Sequence, residues 1–501
     1  MSTKDQINNI VIVGGGSAGW MTAAMLSKQL ESNINITLVE SDNIGTVGVG
    51  EATIPPIKTF NRLLGIDEND FLKHCNGSIK LGISFENWPE KNHQYFHPFG
   101  RFAVDFDYIP FSYFWNKHRA AGDQKPLQEY ASAWHLAKNN KFSLPSNDKK
   151  SLFSGFDYAY HFDAGLYANY LRRYSEKLGV KRQEGKITQV NTHAKNGFIS
   201  SVTLANGKNV TGDFFIDCSG GSALLLGKTL GVKFIDWSNN LLCNRAIAVQ
   251  TSHVKPISPY TRSIANTSGW QWRIPLQTRM GNGSVHSSEF IDEQTAMDDL
   301  ISAIDGEVLS EPRVINFNVG RREKFWHKNC VAIGLSAGFL EPLESTSLHL
   351  IQRAIMRLIS HFPNKHCDEI NAKQFNNLTT VEYEHIRDFI ILHYKATQRD
   401  DSEFWRYCQH MAIPDSLQHQ IELFSSHGHL NVDSSDLFKQ DNWLAVLTGQ
   451  NIFPESVAPI MAYKQKINLP KTMDSFHYVM TETVKKLPSH DEYLKQHCLF
   501  Q

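Results

Sequence analysis

Two stretches of this chain have residue types and spacings suited to chemistry. In VIVGGGSAGWM, Gly14-x-Gly16-x-x-Gly19 places three glycines where a strand would turn into a helix. The first glycine makes a tight turn, and the second lets the backbone approach a pyrophosphate. The third permits close helix–strand packing, while the helix start offers free N–H groups to the anion. Glu40 follows about 20 residues on, where an acid accepts from a ribose hydroxyl. The second stretch, GWQWRIP at 269–275, sets Trp270 and Trp272 one residue apart in a chain with ten tryptophans. In a strand the two rings share a face, about 7 Å apart. The simplest reading is a buried aromatic strand that Pro275 ends.

The fingerprint needs a strand before it, a helix after it and a second parallel strand. Ile10–Val13, a helix from about Ser17 and Ile36–Glu40 supply that βαβ unit. A Gly-rich loop, GTVGVGEATIPP, falls within 41–60. Further on, Asn196-Gly197 and Asn206-Gly207 punctuate alternating segments and predict a β-meander that delivers Phe214–Asp217 into a glycine turn. NCVAIGLSAG is another strand into a turn, and STSLHLIQRAIMRLISHF is an amphipathic helix with Ser345 or Thr346 near its N-cap. The turns at Asp217–Gly220 and Ile333–Gly338 read as a second and third approach of sheet backbone to one long cofactor. That favours FAD over NAD, and no second fingerprint is present for NAD(P)H. Reduced flavin is therefore expected from a separate NAD(P)H-dependent flavin reductase.

Bulk properties exclude other classes. The chain has 501 residues, 41% of them hydrophobic and 20% charged, with a formal net charge of −1. No basic run suggests nucleic acid, and no apolar stretch approaches the roughly 20 residues of a membrane span. The N-terminus reads as neither a signal nor a transit peptide. Seven cysteines without C-x-x-C argue against a disulfide framework or a zinc ribbon. A cytoplasmic protein with buried thiols and no metal is the expectation.

Taken together, IVGGGSAGWM, GVGEATIP, FIDCSG, GWQWRIP and GLSAGFLEPLEST resemble the flavin-dependent halogenases, the family of tryptophan halogenases, nearly end to end. The first motif is shared by many flavoproteins, whereas W-x-W-x-I-P is close to diagnostic of the halogenase branch. The resemblance implies FAD used as FADH2, O2 and a halide, with hypohalous acid passing inside the protein to a lysine beside an aromatic substrate. That lysine is Lys80 in NGSIKLGISF; taken alone it would be an ordinary surface lysine between Ile79 and Leu81. The partner acid falls at Glu344, with Glu341 as the competing carboxylate. The halide position maps to the backbone of Thr346 and Ser347. Family members have glycine where Ser347 stands, so either chloride or bromide is open. Flavin contacts carry over to Gly15, Gly16, Ala18, Glu40, Ala52, Ile187, Leu335 and Leu348, beside Gly14 and Gly19 of the fingerprint. His97 and Phe99 fall where the family stacks a flat aromatic substrate. Trp270 and Trp272 become a partition between flavin and substrate chamber.

Residues 427–454 depart from the family: the paired tyrosines, glutamate and tryptophan that clamp an amino acid are missing from HGHLNVDSSDLFKQDNWLAVLTGQNIFP. The expected substrate is a small indole-like aromatic and not free tryptophan. The alternatives are a flavin-dependent aromatic monooxygenase (hydroxylase) and a non-catalytic FAD-binding descendant. The fold expectation is α/β: a Rossmann-type, flavoprotein monooxygenase-like FAD module over 1–365, β-rich at about 186–325. A mainly helical part over 366–501 would pack over the substrate site, in one compact unit. A homodimer is compatible with the sequence.

Overall fold

The structure, a computed structural model, describes residues 5–31, 34–43, 50–253 and 255–500. The chain forms two compact units, each assembled from three segments. They do not follow the expected division at 365. One unit takes Met1–Asn76, Phe162–Ser238 and Phe317–Tyr383; the other takes Gly77–His161, Asn239–Asn316 and Glu384–Gln501. Strand pairing sets this grouping, and pairing partners lie far apart in sequence.

The first unit is built on a six-stranded sheet. Its order is Trp326–His327, Cys330–Ala332, Phe214–Asp217, Asn9–Val13, Asn35–Glu40, Lys181–Glu184. Pairing is parallel except at the Trp326–His327 edge. The central strands are near-continuous apolar runs (IVIV, FFI) because both faces of a parallel sheet are covered. Helix Ser17–Leu30 crosses between the first two strands and packs on Ala164–Lys177. The meander forms as expected over Ile187–Thr192, Ile199–Leu204 and Asn209–Thr211. Gly197 and Gly207 make its turns at positive φ.

The second unit is organised by a seven-stranded sheet. Its order is Arg313–Asn316, Arg245–Ser252, Arg279–His286, Gly269–Pro275, Thr261–Ala265, Gly82–Glu86, Gln94–Pro98. The last two strands come from far upstream of the β-rich region; Gly82–Glu86 joins Thr261–Ala265 in parallel, and the other pairs are antiparallel. Register decides what each face carries. Trp272 stands opposite Ser263, Ser263 opposite Phe85, and Phe85 opposite Tyr95. Two residues along, Thr261 faces Ile83 and Ile83 faces His97. Opposed residues point the same way, so the tryptophan pair, Thr261 and His97 share one face. The opposite face carries Ile247 and Val249, packed on Ala296 and Leu300 of helix Glu293–Ala303.

All seven cysteines are buried, and none forms a disulfide. Burial pushes the Cys75, Cys218 and Cys330 thiols far up, which keeps them protonated. Among the described residues no helix is long and apolar enough to cross a membrane.

Candidate active site

In the first unit, three turns meet at the carboxyl end of the parallel sheet. Gly14 has φ +113°, and a Cβ there would lie 2.1 Å from the Cys218 carbonyl oxygen. At Gly15 a Cβ would lie 1.4 Å from Glu40 Oε2, so the acid occupies the space that the missing side chain leaves. Gly16 is the N-cap of helix Ser17–Leu30, makes no side-chain cap bond, and has nothing within 4 Å of its Cβ position among the described residues. The first N–H groups of that helix are thus open to an anion. The second turn is fixed by the buried Asp217. Its Oδ1 accepts from the Ser219 amide and hydroxyl, and its Oδ2 from the amides of Leu225 and Leu226. In the third, Gly334 has φ +77°, with its Cβ position 2.8 Å from the Ala18 methyl.

An uncapped helix start, a cradle that any Cβ would fill and an acid beside it fit a dinucleotide such as FAD. Other carried-over positions lie on the same unit. Gly185 N–H donates to the Glu40 carbonyl two residues before Ile187, which is half-buried. Leu335 is 49% exposed, unusual for a leucine at the rim of a sheet, whereas Leu348 is buried. Ala52 ends the short strand Gly50–Ala52; residues 44–49 of the Gly-rich loop lie outside the described residues. Glu51 carried no signal in the sequence reading. Burial, and then the charge of Asp163, push its carboxyl up to about 7, so it holds a proton at neutral pH more readily than a solvated acid.

EPLESTS forms a single turn over Pro342–Glu344, then Ser345 in the left-handed region, then helix Ser347–Ser360. Thr346 is the N-cap, as the sequence predicts, and its side chain makes no capping bond. Its Oγ1 is buried without a hydrogen-bond partner among the described residues. A buried orphan hydroxyl at an uncapped helix start fits an anion. Glu341 and Glu344 are both wholly buried, so burial does not separate them.

Lys80 is not the surface lysine its neighbours suggest. It ends strand Ser78–Lys80 in the second unit, is fully buried, and lies with Nζ 5.2 Å from the centre of the Phe99 ring. The Phe99 amide donates to the Leu81 carbonyl at 2.8 Å, tying the two segments together. His97, also buried, packs against Phe389 and Phe438. The structure therefore brings Lys80, His97 and Phe99 together. It adds Asn442, which sequence reasoning missed because it lies within the unmatched stretch 427–454. Asn442 Oδ1 accepts from the Lys439 amide, which can only donate, so its Nδ2 points at His97 Nε2, 2.9 Å away. His97 Nε2 must then accept, which leaves the ring proton on Nδ1.

Trp270 and Trp272 are buried with ring centres 6.1 Å apart, on one face as the spacing predicts. A Cβ at Gly283 would lie 2.0 Å from the Trp272 ring, so that glycine makes the ring's berth. Trp272 Nε1–H is buried without a partner among the described residues. One cluster elsewhere has metal-ligand spacing: Glu129, His135 and His477. Lys138 and Trp134 already donate to the two Glu129 oxygens, at 2.7 and 2.8 Å, and His135 Nε2 bonds the Glu129 carbonyl. This is an ion-paired cluster.

A parallel sheet with three glycine turns at its carboxyl end, in a chain that also buries a lysine beside a phenylalanine ring, defines an FAD-type α/β oxidoreductase. The chain belongs to the tryptophan halogenase family, whose model matches residues 9–466. It is accordingly a flavin-dependent halogenase. A tryptophan 7-halogenase of Lentzea aerocolonigenes, RebH, is 33% identical over 98% of this chain and 99% of its own. A solved flavin-dependent halogenase from Xanthomonas campestris is 44% identical, with a TM-score of 0.95 over 99% of both chains. BrvH, a flavin-dependent halogenase from Brevundimonas sp. BAL3, is 41% identical with a TM-score of 0.95, over 98% of this chain and 99% of its own.

Proposed function

We propose that this halogenase uses FADH2, O2 and chloride or bromide to make hypohalous acid, and that Lys80 relays the halogen to an electron-rich, indole-like aromatic. When bound, reduced flavin supplies two of the four electrons that O2 takes up, and halide supplies the other two. A separate NAD(P)H-dependent reductase provides the reduced flavin, and a cytoplasmic location suits that supply. Gly14–Gly19 and Glu40 bind the dinucleotide, with Ala52, Ile187, Leu335 and Leu348 as further contacts. Thr346 and Ser347 hold the halide through their amides.

Lys80 acts in one of two ways. Its ammonium donates a hydrogen bond to hypohalous acid, or its free amine takes the halogen as an N–X bond with release of water. Either form delivers the halogen to a ring carbon, and the ring proton leaves to a carboxylate, for which Glu344 is the assigned group. His97 and Phe99 orient the flat substrate. Trp270 and Trp272 keep organic substrate from the flavin. The observation that carries this reading is Lys80 itself: a fully buried cationic side chain against an aromatic wall has no structural necessity, since burying a charge is costly. Residues 427–454 lack the tyrosine pair of an amino-acid clamp, so free tryptophan is expected to react more slowly than indole. RebH is named a tryptophan 7-halogenase; this chain's substrate is proposed to differ.

The test supplies reduced flavin, O2 and each halide to wild type and Lys80→Ala. Halogenated product is expected to disappear in the variant while FAD binding and O2 uptake persist; retained halogenation overturns the relay. Turnover of substrate to hydroxylated product without halide would instead establish a monooxygenase.

A further inference from the structure

Strand Ser78–Lys80 is held from two sides by histidines. On one side lies His161, opposite Ser78 in the antiparallel pair. The Ser78 hydroxyl donates to the Pro275 carbonyl at 2.5 Å, so its oxygen accepts from His161 Nδ1–H at 3.1 Å. Burial disfavours the charged ring, so His161 Nε2 accepts from the Thr261 hydroxyl at 2.9 Å. On the other side is His490. Its Nδ1 faces the Ile257 carbonyl at 2.9 Å, which can only accept, and its Nε2 faces the Ile79 amide at 3.1 Å, which can only donate. Each ring is thus a neutral tautomer with both nitrogens satisfied. Burial also disfavours the charged form of both, and for His161 so does the charge of Lys80.

His490 opens the C-terminal helix His490–His497. The rest of that segment bonds residues that flank the strand, Ile257 and Gln277. Asp491 Oδ2 accepts from the Ile257 amide at 3.1 Å. Gln277 Nε2 donates to both the Gly77 carbonyl, 2.6 Å, and the Cys498 carbonyl, 2.9 Å, while its Oε1 accepts from the Phe500 amide at 2.8 Å. The backbone just before Lys80 is therefore pinned at Ile79 by His490, 411 positions away, and at Gly77 by Gln277, which the C-terminal segment holds in turn. Nothing in the cofactor or substrate roles above uses these bonds.

We propose that the C-terminal segment 489–500 is a positioning element for Lys80, acting through His490 on the Ile79 amide, with His161 as the neutral brace on the other side. The inference rests on Lys80 being the halogen relay. Lys80 Nζ is aimed by the strand that carries it, and the strand's register is fixed where Ile79 N–H meets His490. When that anchor is lost, the amine shifts, hypohalous acid is no longer captured, and it leaves as free oxidant.

The test uses full-length holoenzyme with reduced flavin and halide, and measures halogenated product per O2 alongside hypohalous acid caught by a small-molecule trap. His490→Leu keeps much of the volume and removes both bonds. Product per O2 is expected to fall on the order of 10- to 100-fold, with trapped oxidant rising to match and FAD binding unchanged. His490→Gln, which offers an acceptor and a donor, is expected to recover part of the loss. Gln277→Met frees the Gly77 end and should move the ratio the same way, which keeps the test open if His490→Leu does not fold. An unchanged ratio in these variants overturns the proposal. So does a parallel loss of O2 uptake and product, the mark of a merely structural role. Lys80→Ala separates the two readings: halogenation surviving in it sinks the relay itself, whereas a dead Lys80→Ala beside a normal His490→Leu sinks only the positioning role.

Discussion

The cofactor cradle and the Lys80 cradle are built on opposite plans. The first is made from backbone and missing side chains: Gly14, Gly15 and Gly16 are contiguous, and Glu40 fills the space over Gly15. The second is made from polar side chains gathered from Ser78, His161, Thr261, Gln277 and His490, all buried except the half-buried Gln277. A pyrophosphate is recognised by amides that every chain carries, so a short local pattern suffices. A reactive halogen has to be held at one point, and a point is fixed only by bonds from several directions. The cofactor cradle should therefore fail through steric intrusion, and the Lys80 cradle through loss of a bond or a change of tautomer.

Gly15→Val tests the first half of that contrast and is expected to have the largest effect. The Gly15 Cβ position lies 1.4 Å from Glu40 Oε2 and 2.4 Å from its Cδ. Valine must drive the carboxylate away from the ribose side or distort the turn. FAD affinity, measured by titration, should fall roughly 10- to 100-fold, the range of an overpacked site. Arg182, whose Nε donates to Glu40, holds the acid in that position beside Gly15. Unaltered affinity would mean that Glu40 does not face the cofactor.

The contrast also explains what was legible in the sequence. The βαβ unit, the meander, the three glycine turns and the shared face of the tryptophans follow from local period and turn chemistry. Lys80, His97 and Phe99 came from motif resemblance, and the structure joins them because Gly82–Glu86 pairs with Gln94–Pro98. His490, His161 and Asn442 gave no signal. A histidine that accepts an amide N–H 411 residues away obeys no period. The division at 365 missed for the same reason: strands 82–98 join a sheet otherwise made from 245–316, and nothing local announces that pairing.

Asn442→Asp tests whether a tautomer matters in the second cradle. One carboxylate oxygen would still accept from the Lys439 amide, but the other would now require a proton on His97 Nε2. The ring must switch tautomer or become charged, and a neighbouring carboxylate favours the charged form. Aromatic-substrate kcat/KM is expected to fall about tenfold, the size of one misplaced hydrogen bond, and its pH profile to gain an inflection. His97→Ala should be at least as damaging. If it is harmless, His97 does not touch substrate; if it is damaging and Asn442→Asp is not, only the tautomer argument fails.

A pH series probes the Lys80 cradle without touching catalysis. Burial holds His490 at about 4 in the folded protein, against 6.5 when solvated. Between those values the unfolded chain binds more protons, so this stability is complete above about 6.5 and is lost as pH falls toward 4. The slope for one such histidine is about 1.4 kcal/mol per pH unit. His135 and His286, also held at about 4, act in the same direction. Asp441, raised to about 7 by burial, acts in the opposite one. The difference between wild type and His490→Gln isolates His490: Tm should fall less steeply from pH 7 to pH 5 in the variant. Equal slopes would show that the His490 ring is not held neutral.

Ser347 stands between the two plans, a side chain placed where a cradle works by having none, and its removal should have the smallest effect. Helix Ser347–Ser360 begins there with no side-chain cap and with Thr346 Oγ1 unpartnered among the described residues. An added Cβ narrows the approach to the first amides, so an anion arrives with fewer of them to replace its water. Chloride holds its hydration more tightly than bromide and suffers more from that shortfall. Wild type is therefore expected to favour bromide. Ser347→Gly should shift the bromide-to-chloride ratio of kcat/KM toward chloride by about three- to tenfold, the effect of one weak contact. Glycine at a helix start costs well under about 1 kcal/mol, so Tm and FAD affinity should barely move. A competition assay with both halides present, read by the isotope pattern of the product, measures the ratio directly. If the ratio is unchanged, the halide does not sit on this helix start, and the cradle that excludes side chains ends at Gly16.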